Sequence, residues 1–188
     1  MDDGDVHDLN QRDDYMPYWA YLWPGSFLLA EVVARGRWSG EPALEIGCGL
    51  GLAGLVGMAR GLKVRFTDYD AAPLEFVARS ASENGFDPSD FTTGLIDWRH
   101  PPAEAFPLIL GADVLYERRL VPLVAGVLAR MLSPGGEAWI ADPYRAAAED
   151  FPAVVAAQGL ECFAEVVEAD SVELGPIHGT LHRVIRHA

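Results

Sequence analysis

The stretch LEIGCGLGLAG, residues 44–54, decides the fold of this 188-residue chain. Its first residues are typical of a buried strand, its glycines of a tight turn, and its last residues of a helix. Strand, glycine turn and helix in this order let a ligand approach backbone amides at the start of the helix. Gly47, Gly49 and Gly51 give the pattern GxGxG. An overlapping GxGxxG ends at Gly54 and would alone favour a dinucleotide, so residues outside the stretch have to decide the ligand.

Short apolar runs alternate with longer helical runs along the rest of the chain, which predicts βα units around a parallel sheet. The five predicted strands are residues 42–48, 63–68, 91–96, 107–115 and 136–142. The predicted helices are residues 26–38, 52–61, 71–85, 118–132 and 147–159. We expect Ser26 to cap the first helix and SPGG, residues 133–136, to form a tight turn before the fifth strand.

The last two apolar runs, residues 160–169 and 178–188, have no helix-length segment between them. Since a parallel crossover needs about a dozen residues or more, these runs should pair as an antiparallel hairpin. We therefore expect an α/β fold. It consists of a Rossmann-like, seven-stranded sheet with helices on both faces and an antiparallel C-terminal strand pair.

Composition and charge exclude several function classes. The net charge of -14, with no Lys/Arg cluster, disfavours nucleic acid and favours a basic or cationic partner. We find no secretory signal and no membrane-length apolar run, so we expect a cytoplasmic protein without a membrane partner. The length predicts one domain over residues 15–188, behind an acidic, mobile lead-in at residues 1–14, and we expect a monomer. Cys48 and Cys162 lack metal-ligand spacing, so no metal is expected.

Three features favour S-adenosylmethionine over a dinucleotide. Glu45, two residues before the first glycine, would repel a pyrophosphate but suits a cationic amino-acid ligand. The antiparallel terminal pair replaces the second mononucleotide-binding half of a dinucleotide fold. Asp68 ends the second strand and can accept hydrogen bonds from both ribose hydroxyls, although NAD enzymes share this feature.

The segment LIDW, residues 95–98, follows the third predicted strand. Asp97 can accept a hydrogen bond from the adenine amino group, and Trp98 can lie against the adenine ring. The alternative is an exposed Asp97 beside a core Trp98 with no ligand involved.

Together, EIGCGLG, Asp68, LIDW, GADVLY and LSPGG resemble the class I, seven-β-strand methyltransferases. The sequence is more narrowly similar to the lysine methyltransferase-like group, in which strand four ends in Asp-x-x-Tyr, here Asp113 to Tyr116. Within that group, PYWAYLWPGS and ADPYR are most similar to the methyltransferases of the electron-transfer-flavoprotein β-subunit. Ser26 and Phe27 depart from the Gly-Gln that tends to follow Trp-x-Gly in those enzymes.

The resemblance implies an S-adenosylmethionine-dependent N-methyltransferase of a protein lysine, with S-adenosylhomocysteine as product and no metal. The residues that it assigns to the methyl donor are Trp23, Glu45, Gly47, Gly49, Gly51, Asp68, Asp97 and Trp98. It assigns the acceptor side, and so the catalytic role, to Asp113 and Tyr116. Two alternatives stay open: methylation of a small amine or heteroaromatic nitrogen, and a module that binds S-adenosylmethionine without turnover.

The chemistry of N-methylation suggests different tasks for these two residues. A lysine with a pKa near 10.4 is only about 0.1% neutral at physiological pH, and transfer needs its lone pair. Burial against Tyr116 and Trp23 would lower the amine's pKa. Asp113 would raise it, so our hypothesis is that Asp113 captures and orients the cation. Alternatively, Asp113 caps the next helix and Tyr116 packs against it; Asp142 and Arg145 are weaker candidates at the same edge of the sheet.

The aromatic segment MPYWAYLWPGS, residues 16–26, precedes the first predicted helix. Its two prolines make it too irregular for an ordinary core element, so we expect a lid over the carboxyl edge of the sheet. Trp23 is expected to contact the donor and Trp19 to serve stability, with Tyr18 or Tyr21 packed into the core.

Overall fold

The computed structural model describes residues 17–188. The acidic lead-in predicted at residues 1–14, and the domain boundary predicted at residue 15, lie outside that range. Within it, no helix is long and apolar enough to cross a membrane. The cytoplasmic location stays a prediction.

Seven strands form one sheet in the order β3-β2-β1-β4-β5-β7-β6. Strands β1 to β5 are parallel, whereas β7 runs antiparallel to both β5 and β6. The strands are β1 Pro42–Ile46, β2 Lys63–Asp68, β3 Phe91–Leu95, β4 Phe106–Ala112, β5 Leu132–Asp142, β6 Glu161–Ser171 and β7 Gly175–Ile185. The predicted seven-stranded α/β sheet with an antiparallel C-terminal pair is confirmed.

Helices cover both faces of the sheet. They are α1 Pro24–Arg35, α2 Leu52–Ala59, α3 Ala71–Glu83, α4 Val121–Met131 and α5 Phe151–Ala157, with short 3-10 turns at Tyr18–Ala20 and Ala146–Ala148. Helices α1, α2 and α3 bury their apolar sides in one core, and α4 and α5 bury theirs in the other. The central strands are buried on both faces, which is why they appear in the sequence as near-continuous apolar runs.

Ser26 does not cap the first helix. That helix begins at Pro24, and its N-cap residue, Trp23, makes no side-chain hydrogen bond. The first turn is satisfied by other means: Pro24 has no N–H to satisfy, Gly25 donates to the Asp113 side chain, and the Ser26 amide donates to the Trp23 carbonyl.

SPGG, predicted as a tight turn, is part of β5 instead. The amide of Gly135 donates to the Arg186 carbonyl at 2.7 Å, and the Arg186 amide donates to the Gly136 carbonyl at 3.1 Å. The end of the chain therefore supplies backbone partners that local sequence cannot reveal, and the irregularity appears as a register shift between Phe106 and Leu108 in the neighbouring strand.

Strand β1 lies between β2 and β4, where the strand order reverses direction. In open α/β sheets, ligands bind outside the carboxyl ends of the strands at such a point. The loops that follow β1, β2 and β4 therefore form the candidate site.

Candidate active site

The glycine loop joins β1 to α2 in a tight turn. Gly47, Gly49 and Gly51 have φ angles of +58°, +49° and +72°, which residues other than glycine rarely adopt. A Cβ on Gly51 would also collide with the side chain of Val77 in α3. The amide of Gly51 donates to the Cys48 carbonyl at 2.7 Å and closes the turn.

Glu45 lies beneath this loop and is only 2% exposed. Its Oε2 accepts a hydrogen bond from the Gly54 amide at 2.9 Å. Burial raises the pKa of Glu45 to about 8, the Gly54 hydrogen bond opposes this rise, and the charge of Asp68 adds to it. No Lys or Arg of residues 17–188 forms an ion pair with Glu45, so the buried acid is suited to a cationic ligand.

Asp68 ends β2 and connects it to the glycine loop. Its Oδ2 accepts from the Gly49 amide at 3.2 Å, and its Oδ1 accepts from the amides of Tyr69 at 2.8 Å and Asp70 at 3.3 Å. Burial raises the pKa of Asp68, and these amides oppose the rise. A carboxylate offers about four lone-pair sites, so Asp68 can still accept bonds from hydroxyl groups.

Asp97 and Trp98 have different surroundings. Both Asp97 oxygens accept hydrogen bonds from the Arg99 guanidinium, at 2.7 to 3.0 Å, and these hold the pKa of Asp97 well below its usual range. Trp98 packs partly against the core beside the glycine loop, since a Cβ on Gly47 would lie 3.0 Å from its ring and 3.2 Å from Val114. Trp98 therefore lies against the glycine loop, whereas the Asp97 carboxylate is paired with Arg99 at the surface.

Asp113 follows β4 and is 8% exposed, with φ at +54°. It does not cap the helix that follows; its Oδ2 accepts from the Gly25 amide at the start of α1. Its Oδ1 accepts from both Nε and Nη2 of Arg145, at 2.9 and 2.6 Å. Burial raises the pKa of Asp113, and Arg145 and Gly25 oppose the rise. The Asp113 carboxylate is thus already paired with a cation, the Arg145 guanidinium.

Tyr116 follows Asp113 by three residues and is 47% exposed. Partial burial is the main reason that the pKa of Tyr116 is raised. Interactions with Glu117, Tyr69 and Asp68 add to the rise, and Arg119 opposes it. The interactions with Tyr69 and Asp68 place Tyr116 towards the end of β2.

The aromatic segment lies close to the same edge. The Trp23 ring is 6.2 Å from that of Tyr18 and 6.3 Å from that of Tyr21, and Cζ of Arg145 lies 5.7 Å from the Trp23 ring centroid. Tyr18 and Tyr21 are 60% and 58% exposed, so the prediction that one of them enters the core is wrong. Tyr21 packs edge-on against Trp23, and the Tyr18 ring is tilted by 39° to the Trp23 ring. The core beneath is filled by α1.

Trp19 is a residue whose position the sequence did not predict. Its carbonyl oxygen would lie 3.3 Å from a Cβ on Gly49, so its backbone passes directly over the glycine loop. Its ring lies 6.4 Å from that of Phe76 in α3, and its indole N–H is buried without a partner among the described residues. The glycines of the loop have no side chains, so another chain segment can pass close to them. The sequence near the loop does not indicate that this segment is the one containing Trp19.

Arg145 is the other residue that sequence reasoning ranked too low. Its amide donates to Oδ2 of Asp142 at 2.7 Å, and the preceding Tyr144 has a φ of +58°. The ADPYR segment gave the signal, because it ends a strand at the ligand-binding edge. The left-handed turn that directs the side chain to Asp113 is not visible in the sequence.

Comparison with known proteins decides the family. The sequence profile described as "Lysine methyltransferase" matches residues 20–151, which include the glycine loop and Asp113. The chain belongs to this family. That membership confirms the predicted resemblance to the lysine methyltransferase-like group, whereas the narrower similarity to the electron-transfer-flavoprotein enzymes stays a prediction.

Two curated relatives are similar to this chain in sequence. Mouse "EEF1A lysine methyltransferase 3" is 29% identical over 132 residues, which is 68% of this chain and 56% of the relative. Zebrafish "Protein N-lysine methyltransferase METTL21A" is 29% identical over 123 residues, 61% of this chain and 56% of the relative. The chain thus spans about half the length of the curated relatives it matches.

A solved structure shows the same fold at lower sequence identity. The TehB-like S-adenosylmethionine-dependent methyltransferase from Corynebacterium glutamicum has a TM-score of 0.65 and 21% identity, with all of both chains covered. The lysine methyltransferase family member described here therefore has the S-adenosylmethionine-dependent methyltransferase fold.

Proposed function

We propose that this chain is an S-adenosylmethionine-dependent N-methyltransferase that acts on a lysine side chain of a protein. The observation that carries the proposal is one juxtaposition at the carboxyl edge of the sheet. The glycine loop that follows β1 lies beside Asp113 and Tyr116, which follow the neighbouring strand β4.

The residues around the loop fit the methyl donor. S-adenosylmethionine supplies a methyl group on a positively charged sulfur, which leaves as a neutral thioether. Glu45 and Asp68 are buried acids with no Lys or Arg ion-pair partner in residues 17–188, a setting that favours a cationic ligand. Trp98 and Val114 provide an apolar wall beside Gly47.

The donor-binding roles differ in how well the geometry supports them. Asp68 is suited to ribose hydroxyls, since it lies at a strand end with lone pairs to spare. Asp97 is less suited to the adenine amino group, because an adenine would have to compete with Arg99 for the same oxygens. Trp23 is proposed to lie against the donor from the segment that covers the edge.

On the acceptor side, we assign Asp113 and Tyr116. Arg145 offsets the charge of Asp113, so the pair raises the pKa of an incoming amine less than a lone carboxylate would. This favours the neutral amine that methyl transfer requires. The names of the two relatives support a protein lysine as the acceptor, and the net charge of -14 supports a basic partner.

The test is transfer of labelled methyl groups. Purified protein is incubated with S-adenosylmethionine labelled on the methyl group and with a cell extract. A labelled protein band that yields methyl-lysine on mass spectrometry supports the proposal. Label only in the small-molecule fraction shows a small-amine methyltransferase instead, and donor binding without transfer shows a non-catalytic module.

A matched pair of variants controls this experiment. Gly51→Val fills the glycine loop where Val77 already packs, so the labelled band should disappear. Arg79→Gln removes only an exposed ion pair with Glu83 on α3, so the band should remain. A band that survives Gly51→Val comes from another enzyme in the preparation.

A further inference from the structure

Three chain segments that are distant in sequence meet at Asp113. The start of α1 contributes the Gly25 amide to Oδ2, and the segment after β5 contributes Arg145 to Oδ1. The Asp113 side chain is 7% exposed and that of Arg145 is 30% exposed, so this ion pair is largely protected from water. Charge-assisted hydrogen bonds in such a setting are stronger than those on the surface.

Arg145 also contacts the aromatic segment directly. Its guanidinium carbon lies 5.7 Å from the Trp23 ring centroid, within the range of a cation–π interaction. Trp23 is also held within its own segment, because its indole N–H donates to the Tyr18 carbonyl at 2.8 Å. One side chain therefore links the ring of Trp23 to the carboxylate that holds Gly25.

The backbone around Arg145 is shaped for this contact. Tyr144 and Asp113 are the two non-glycine residues with positive φ in the described part of the chain, and they follow neighbouring strands. Such conformations persist where surrounding contacts determine them, and they concentrate at functional sites. Asp142, 1% exposed, accepts the Arg145 amide and fixes the turn from which the side chain reaches Asp113.

We infer that Arg145 is a positioning residue that holds residues 17–25 over the carboxyl edge of the sheet through Asp113 and Trp23. It acts through these two residues and not on the reacting atoms. The inference rests on the proposed function only for its consequence, which is that Trp23 is held where the donor binds.

The first measurement is hydrogen exchange of the ligand-free protein, so it needs neither donor nor acceptor. Arg145→Gln should speed exchange in peptides covering residues 17–25, while peptides from α4 keep wild-type protection. Arg145→Lys retains the charge without the planar fork and should restore protection in part. Unchanged exchange of residues 17–25 in Arg145→Gln would overturn the inference.

The second measurement is the affinity for S-adenosylhomocysteine by calorimetry. We expect Arg145→Gln to weaken it about tenfold, which corresponds to roughly one strong hydrogen bond. Faster exchange with unchanged affinity would still support the positioning role of Arg145 and would contradict the placement of Trp23 at the donor. The two failures are thus distinguishable.

A double-mutant cycle separates positioning from general destabilisation. Asp113→Asn keeps an acceptor for Gly25 and tolerates positive φ, but it loses the charge that Arg145 contacts. In the Asp113→Asn background, Arg145→Gln should change exchange and affinity much less than it does in the wild type. Fully additive effects would mean that Arg145 acts independently of Asp113 and would overturn the inference.

Discussion

Gly54 in α2 donates its amide hydrogen to Oε2 of Glu45 in β1 at 2.9 Å, beneath the glycine loop. This side chain thereby connects the strand to the helix, and burial raises the pKa of its carboxyl group to about 8. In the unfolded chain the same group titrates near 4.5. At a pH between these two pKa values, Glu45 therefore takes up a proton when the chain folds.

The first prediction follows from this linkage. Because the folded pKa is raised, the contribution of Glu45 to stability is complete below about pH 4.5 and is lost as the pH rises towards 8. The slope is at most about 1.4 kcal/mol per pH unit. Glu45→Gln keeps an oxygen for Gly54 and should remove this slope, which urea unfolding at pH 6 and pH 8 measures. Equal slopes in both proteins would contradict the raised pKa.

The second prediction concerns His182 and has the opposite sign. His182 on β7 is 6% exposed, lies edge-on to Phe151, and has a pKa lowered to about 4 by burial. Its neutral form stabilises the fold above about pH 6.5, and this contribution is lost as the pH falls towards 4. We expect a loss of about 1 to 2 kcal/mol between pH 7 and pH 5.

His182→Leu tests this prediction, because it retains an apolar contact with Phe151 and cannot titrate. Its free energy of unfolding should depend less on pH between 5 and 7 than that of the wild type. His178, which is exposed beside Glu168, gives the matched control. If His178→Leu reduces the pH dependence of the free energy of unfolding as much as His182→Leu does, burial of His182 is not the cause of that dependence.

The sequence predicted the sheet because its signals are local and repeated. The central strands β1 and β4 are apolar runs, and each parallel strand ends near a Gly, Asp or Pro. The absent crossover before β7 determined the antiparallel pair. The glycine loop was equally readable, since its positive φ angles admit little but glycine. These features depend on backbone geometry and burial, which short sequence windows carry.

The partners of individual side chains could not be predicted in the same way. Ser26 is a good capping residue by type, but the helix begins at Pro24, and the Gly25 amide in its first turn is bound by Asp113, 88 positions away in sequence. In the sequence Asp97 resembles a ligand-binding acid, but in the structure its carboxylate accepts hydrogen bonds from Arg99. Exposure of Tyr18 depends on how the irregular segment lies on the sheet, which no periodicity encodes.

The third prediction compares two glycines. Gly51→Ala forces a side chain onto a φ of +72° and into Val77, so we expect it to destabilise the protein by about 2 kcal/mol or more and to abolish binding of S-adenosylmethionine. Gly126 in α4 has open space around it, and Gly126→Ala should stabilise by about 0.5 to 1 kcal/mol. Thermal unfolding and calorimetry with the donor measure both.

The fourth prediction tests the start of α1. A methyl group on Gly25 would lie 2.9 Å from Cγ of Asp113 and closer still to Oδ2, so Gly25→Ala must displace either α1 or the carboxylate. We expect weaker binding of S-adenosylhomocysteine and a lower melting temperature. Ser26→Ala is the neighbouring control: its side chain makes no capping bond, so its effect should stay within about 0.5 kcal/mol. A Gly25→Ala protein that binds like Ser26→Ala would show that the contact between Gly25 and Asp113 does not hold the aromatic segment in place.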